Sequence, residues 1–419
     1  MFDIGMIWLI VLGLYTIVPV GTWLALGAEY SSPLNGRLYY ISPTKEEYLY
    51  ITQISLAYCV SFTLLYYFLR VKSNSIKTRN LIPYIPDRAL FASLFIIIGI
   101  KLFNFTLQFS GVIAKPESYV DQYLVVQELP IILRQILNFN ITLNSIATIV
   151  LVTALLQRWP DSKFIILIYI LILFIGIDAD GGRASIIVGL FTLILTWHIF
   201  VRKIPTLTWS VVGTLGLALF TIWGIRRGLK SWEAVGTKGF KTVDMGEFDS
   251  IIGNAVDLVQ KIQEKSISIP FQARYGEFWS FIPSQLLPFE KMDMANWYLN
   301  AFYKDYKAIG GGWAFGAMSQ AVVGGGIIEA CIRGLMLALL YFLLVRWYKS
   351  AKSQWWIFPL YLYLLVYTFM SFRDTTFQQI GPFLQFALPS MFLIWLLSLV
   401  LSIAKSDPNP NSQIEPKAV

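Results

Sequence analysis

Apolar residues in this chain run in long blocks separated by short polar breaks, with one much longer polar stretch near residues 226–318. A helix that crosses a bilayer needs about 20 mostly apolar residues. Ten blocks approach that length: 5–27, 48–69, 89–111, 133–157, 164–178, 184–201, 206–225, 319–346, 355–372 and 378–403. The pattern predicts an all-α fold, a polytopic integral membrane helical bundle of about ten transmembrane helices. The division of the chain follows. Residues 1–225 hold spans one to seven, 226–318 form one long extracytoplasmic loop, 319–404 hold spans eight to ten, and 405–419 form a Pro-rich, polar, disordered tail.

The long loop has its own periodicity. Phe248, Ile251, Ile252, Ala255, Val259 and Ile262 make one helical stripe, with Asp249, Asp257, Lys261 and Glu264 mostly elsewhere on the wheel. This predicts an amphipathic helix lying on the bundle or on the membrane surface.

Composition sharpens the class. Of 419 residues, 56% are hydrophobic and only 14% charged, against roughly 25% charged in soluble domains. The formal net charge is +8, but no basic stripe or nucleic-acid motif accompanies it, so no nucleic acid is expected as a partner. The basic residues instead fall beside spans: Arg70, Lys72, Arg88, Arg158, Arg202, Lys203, Arg346 and Lys349 all belong to alternate loops. The positive-inside trend makes that face cytoplasmic, with both termini inside and the 226–318 loop outside the cytoplasmic membrane. The N-terminus reads as a retained first span. Cys59 and Cys331 lie in separate apolar stretches and read as packing residues.

Candidate chemistry lies on the outer side. In GIDADGGRAS, Gly181 and Gly182 allow a tight turn before Arg183 at the start of span six, where a helix N-terminus favours an anion. A second reading pairs Arg183 with Asp178 or Asp180 as a structural corner. Those two carboxylates also permit a cation-binding reading, but no metal or other cofactor is expected. Arg226, Arg227 and Lys230 follow span seven on the side the charge rule disfavours, where they hold either an anionic substrate or lipid headgroups. Lys101 and Arg134 lie in or beside spans, and Arg373 stands with Asp374 between the last two. Glu329 and Arg333, four apart in span eight, are expected to pair along the helix. Aromatic residues after Arg274, including Trp297 and Tyr298, read either as sugar-stacking faces or as an interfacial belt. Gly310–Gly312 and Gly324–Gly326 permit a loop or a break where span eight begins. The single histidine, His198, is at the cytoplasmic end of span six, and no P-loop is present.

Three stretches carry a family resemblance: GGRAS at 181–185, IPSQLLPFEK at 282–291 and GGGWAFGAMSQAVVGGG at 310–326, with Arg373 in the late outer loop. Together with the layout they resemble the Wzy-type oligosaccharide repeat-unit (O-antigen) polymerases. The sequence departs from that pattern at Ser284 and Gln285, where an arginine is common, and at Gln320, where a glutamate is. The resemblance implies glycosyl transfer on the outer face of the membrane, from a growing glycan on a polyprenyl diphosphate to a lipid-linked repeat unit. It also implies membrane lipids as surroundings, with a chain-length regulator and a flippase as possible partners. In these terms Arg183, Arg226 and Arg373 are the catalytic cations, with Glu277 as base ahead of Asp178 and Asp293. Arg227, Arg274, Lys291, Lys101, Trp297 and Tyr298 are the substrate-binding set. The alternatives are an O-antigen ligase-type enzyme, a transporter or flippase of lipid-linked oligosaccharides, and a non-catalytic assembly partner.

Overall fold

A computed structural model describes most of residues 4–16 and residues 44–73, 83–112, 129–160, 183–205, 247–264, 268–304 and 314–405, apart from a few positions within them. Among the described residues every regular element is helical. Among these residues five helices are long and apolar enough to cross a membrane, which agrees with a helical membrane protein. Span five of the sequence reading lies outside the described residues, as do span seven apart from Thr208 and most of span one.

The first long helix, α1 (Lys45–Ser73), opens on a capping box. Thr44 N–H donates to Glu47 Oε2 at 2.9 Å, and Glu47 N–H donates to Thr44 Oγ1 at 3.2 Å. The reciprocal pair satisfies two backbone donors that a helix start leaves open. α2 (Asp87–Phe109) and α3 (Ile131–Arg158) each follow a proline, which cannot itself continue a helix backwards. α4 (Arg183–Phe200) packs on α3.

In the polar stretch the described helices are α5 (Glu247–Glu264), the four-residue turns α6 (Phe271–Arg274) and α7 (Gly276–Trp279), and α8 (Met294–Phe302). α5 is the helix expected from the apolar stripe, but it is more deeply packed than a surface helix. Residues 251–259 are all buried, against α1 and α9 (Ala317–Val322).

The expected eighth span is two helices. α9 ends at Val322, and α10 (Gly326–Ala351) begins after a turn at Val323–Gly325. Gly326 has φ +57°, which a side chain would strain. α10 lies along α1 with Ala330, Gly334 and Ala338 all buried. Small residues at this spacing let two helix backbones approach closely. α11 (Ile357–Val366) leads through one 3₁₀ turn to α12 (Met370–Arg373). The last span runs from α13 (Ile380–Pro382) through a wide π turn at Phe383–Ala387 into α14 (Leu388–Lys405). Pro389 has no N–H to donate and its ring crowds the carbonyl of Gln385, which accounts for the widening.

The loops sort to two ends. Gln260 of α5 donates to Glu47 at the start of α1 (3.0 Å), so the polar stretch caps the end where α1 and α10 begin. At the other end Arg158 donates through Nε to Asp87 Oδ1 (2.8 Å) and through NH2 to the Ile85 carbonyl (2.8 Å). Phe200, at the end of α4, packs on Phe358 (5.7 Å between centroids). The basic segments around 70–72, 88, 158, 202–203 and 346–349 therefore gather at the end away from the polar stretch.

Candidate functional site

The site is built where the polar stretch meets the break between α9 and α10. Pro270 starts α6, and one residue, Tyr275, separates it from α7. Gly276 passes so close beneath the backbone of Met292 that an added Cβ would sit 2.5 Å from the Met292 carbonyl. The next residue, Glu277, is buried at 4% exposed.

Three segments donate to the Glu277 carboxylate. Arg333 NH1 donates to Oε1 at 2.5 Å, Gln320 Nε2 to Oε1 at 3.1 Å, and the Phe377 N–H to Oε2 at 3.0 Å. One residue of the polar stretch thus fastens both helices of the broken span and the turn after α12. Arg333 continues the chain of charge through Nε to Glu329 Oε1 (2.8 Å). Glu329 Oε2 also accepts from Arg274 NH2 (2.5 Å) and from the Gly325 N–H (2.7 Å). The order Glu277, Arg333, Glu329, Arg274 alternates in sign, which offsets the cost of removing each charge from water. Gln320 Oε1 accepts from the N–H of Thr376 (3.2 Å) and its hydroxyl (3.3 Å), and Thr376 Oγ1 accepts from Tyr58 OH (3.1 Å).

The expected Glu329–Arg333 pair is present. Arg274 adjoins it, with its guanidinium on Glu329. Glu277 sits in the same cluster with both carboxylate oxygens engaged, rather than presented to an open space. Arg373 ends α12, three residues before Thr376, and is half-buried. Lys291 lies on the same segment as Glu277, and its Nζ donates to the Ser280 carbonyl at 2.9 Å. Burial pushes the Lys291 ammonium below the usual lysine range. Gln385 of the last span donates to that same carbonyl (2.9 Å), tying α7 to α13 and α14. Lys101 is half-buried on α2, a helix that packs on α3 and α14. Arg183 is the first residue of α4. Arg226, Arg227, Asp178 and Asp180 lie outside the described residues.

One expectation needs correcting. Trp297 and Tyr298 do not form an open face for sugar, since both are buried where α8 packs. Tyr298 OH donates to Asp257 Oδ2, as does Tyr303 OH (2.8 Å), and Lys261 Nζ donates to Asp257 Oδ1 (2.7 Å). Asp257 is buried because two tyrosines from α8 and its end supply the hydrogen bonds that a polar face would have found in water. Asp293, a candidate base, is the N-cap of α8. Its oxygens accept from the N–H (2.6 Å) and the side-chain amide (2.7 Å) of Asn296.

Thr376 and Tyr58 are members of the cluster that the sequence reading missed, and Gln320 was noted there only as a departure from the family pattern. Charges inside an apolar span must face partners, and the sequence offered Glu329 for Arg333; no local spacing linked Thr376 or Tyr58 to them. Chemically, two guanidiniums and a backbone N–H converge on one carboxylate, a donor set suited equally to a phosphate. Comparison with known proteins finds no matching family model, no matching curated protein and no matching solved structure.

Proposed function

We propose that this protein is a membrane glycosyltransferase of Wzy type. In this reading it joins polyprenyl-diphosphate-linked oligosaccharide repeat units at the outer face of the cytoplasmic membrane, with both termini inside. The carrying observation is the convergence of Arg274, Arg333 and the Gly325 N–H on Glu329 where the polar stretch meets a broken span. Anion-binding donors fixed at the end of a membrane bundle are what a lipid-linked diphosphate requires.

The acceptor hydroxyl attacks the anomeric carbon of the donor sugar and loses its proton to a base. The bond from that carbon to the diphosphate oxygen breaks, and the diphosphate leaves with the electron pair. Preorganised cations lower the barrier by meeting charge that builds on the leaving group. Arg274 fills that role here, with Arg183, Arg226, Arg227 and Arg373 as the further cations expected from sequence. Glu277 acts as a positioning residue, because its oxygens hold Arg333, Gln320 and Phe377. Asp178 and Asp293 are the candidate carboxylates left to take the proton. Neither nucleotide nor metal is required in this scheme.

Purified protein in lipid nanodiscs, given lipid-linked repeat units alone, is expected to produce a ladder of polymers. Arg274→Ala and Arg373→Ala are each expected to lower the rate by about a hundred-fold or more, on the order of what one preorganised donor contributes. Products that form only when a lipid A core is added would identify a ligase instead. Movement of substrate across the bilayer without a new glycosidic bond would identify a transporter.

A further inference from the structure

The segment that carries Glu277 also carries an apolar strip that faces outward. Phe271 is 59% and Leu286 73% exposed, and Tyr275, Phe278 and Phe281 are each more than a third exposed. This exposure is built in. Ala273 and Glu277 are buried on the opposite side of the same turns, and the Phe271 ring packs at a tilt against Tyr275 and Trp279, 5.1 Å between centroids in each pair. The segment is also pinned to the bundle at Arg333, Phe377 and Gln385.

We propose that this strip lies in the lipid interface at its end of the bundle, so that residues 271–286 rest on the bilayer rather than project from it. Three observations favour lipid over sugar or a soluble partner. First, the strip is level with the span ends. Arg274 touches Glu329 in the first turn of α10, and Ser280 lies against Gly381 at the start of the last span. Second, it continues an apolar surface already exposed on those spans, since Ile327 and Ile328 open α10 uncovered and Leu384 is exposed on the last span. Third, most of its exposed members are Phe and Leu, without the hydrogen-bonding groups that fix a sugar. Exposed rings and aliphatic groups at the ends of spans are the composition of a membrane interface. The inference holds whether or not the protein transfers sugars.

The test uses the full chain in nanodiscs with Cys59→Ala and Cys331→Ala, and a single fluorescent label placed by Phe271→Cys, Phe281→Cys or Leu286→Cys. Ala301→Cys, exposed on α8, serves as the reference. Nitroxide attached to phospholipid headgroups or upper acyl chains is expected to quench the three strip labels several-fold more than the reference, with iodide in the water doing the reverse. Leu286 is the position least able to disturb folding, so its result stands even if another variant folds poorly. Iodide quenching at all three sites, with lipid quenching no greater than at Ala301→Cys, would show that the strip faces water and would overturn the proposal.

Discussion

Glu277→Ala is expected to cost about 3–5 kcal/mol of stability, the usual penalty for stripping a buried charge of its partner. Arg333 is 5% exposed and would keep only Glu329, while the Gln320 amide and the Phe377 N–H would lose an acceptor in a place water does not reach. Glu277→Gln keeps an acceptor for the backbone N–H but not the charge, so its loss should be smaller. A combined Glu277→Ala, Arg333→Met variant should recover part of the difference, because an apolar side chain leaves no charge stranded. Denaturant or thermal unfolding in nanodiscs measures all three. Equal stability of Glu277→Ala and wild type would mean that the carboxylate does not hold the polar stretch onto the bundle.

Gly334→Leu should be comparably damaging for a steric reason. A Cβ at Gly334 would stand 2.6 Å from the Tyr58 carbonyl and 3.2 Å from the Phe62 nitrogen, both backbone atoms of α1. Neither can rotate away, so the helices must separate. Even Gly334→Ala is expected to cost about 1–3 kcal/mol, the range for overpacking a tight interior, and leucine more. The damage also reaches the polar cluster. Tyr58 is on the displaced stretch of α1, and its hydroxyl donates to Thr376, which in turn bonds Gln320. A lower unfolding temperature and a reduced monodisperse fraction after solubilisation are the expected readouts. An unchanged unfolding temperature would show that α1 and α10 tolerate separation.

Much of the bundle could be read from hydropathy because a bilayer demands long apolar runs. The runs expected at 48–69, 89–111 and 133–157 appear as helices Lys45–Ser73, Asp87–Phe109 and Ile131–Arg158. The early start of the first was written in Thr44 and Glu47, a capping pair that a hydropathy window averages away. The break in the eighth run was signalled by Gly324–Gly326, and Gly310–Gly312 offered a second place for it. The polar cluster was half legible. Glu329 and Arg333 announce each other because four residues bring them to one helix face. Glu277 lies 56 residues from Arg333 and 100 from Phe377, and no local period connects them. α6 and α7, at four residues each, are too short to display a period at all. The burial of Asp257 was hidden for the same reason, since its partners Tyr298 and Tyr303 lie 41 and 46 residues away.

The most direct measurement is a structure of the protein in nanodiscs with polyprenyl diphosphate bound. The expected result is a diphosphate at the end capped by the polar stretch, hydrogen-bonded to Arg274 and to at least one of Arg183, Arg226, Arg227 or Arg373. A diphosphate held instead at the opposite end, among Arg70, Arg88 and Arg158, would contradict the proposed site and the orientation together.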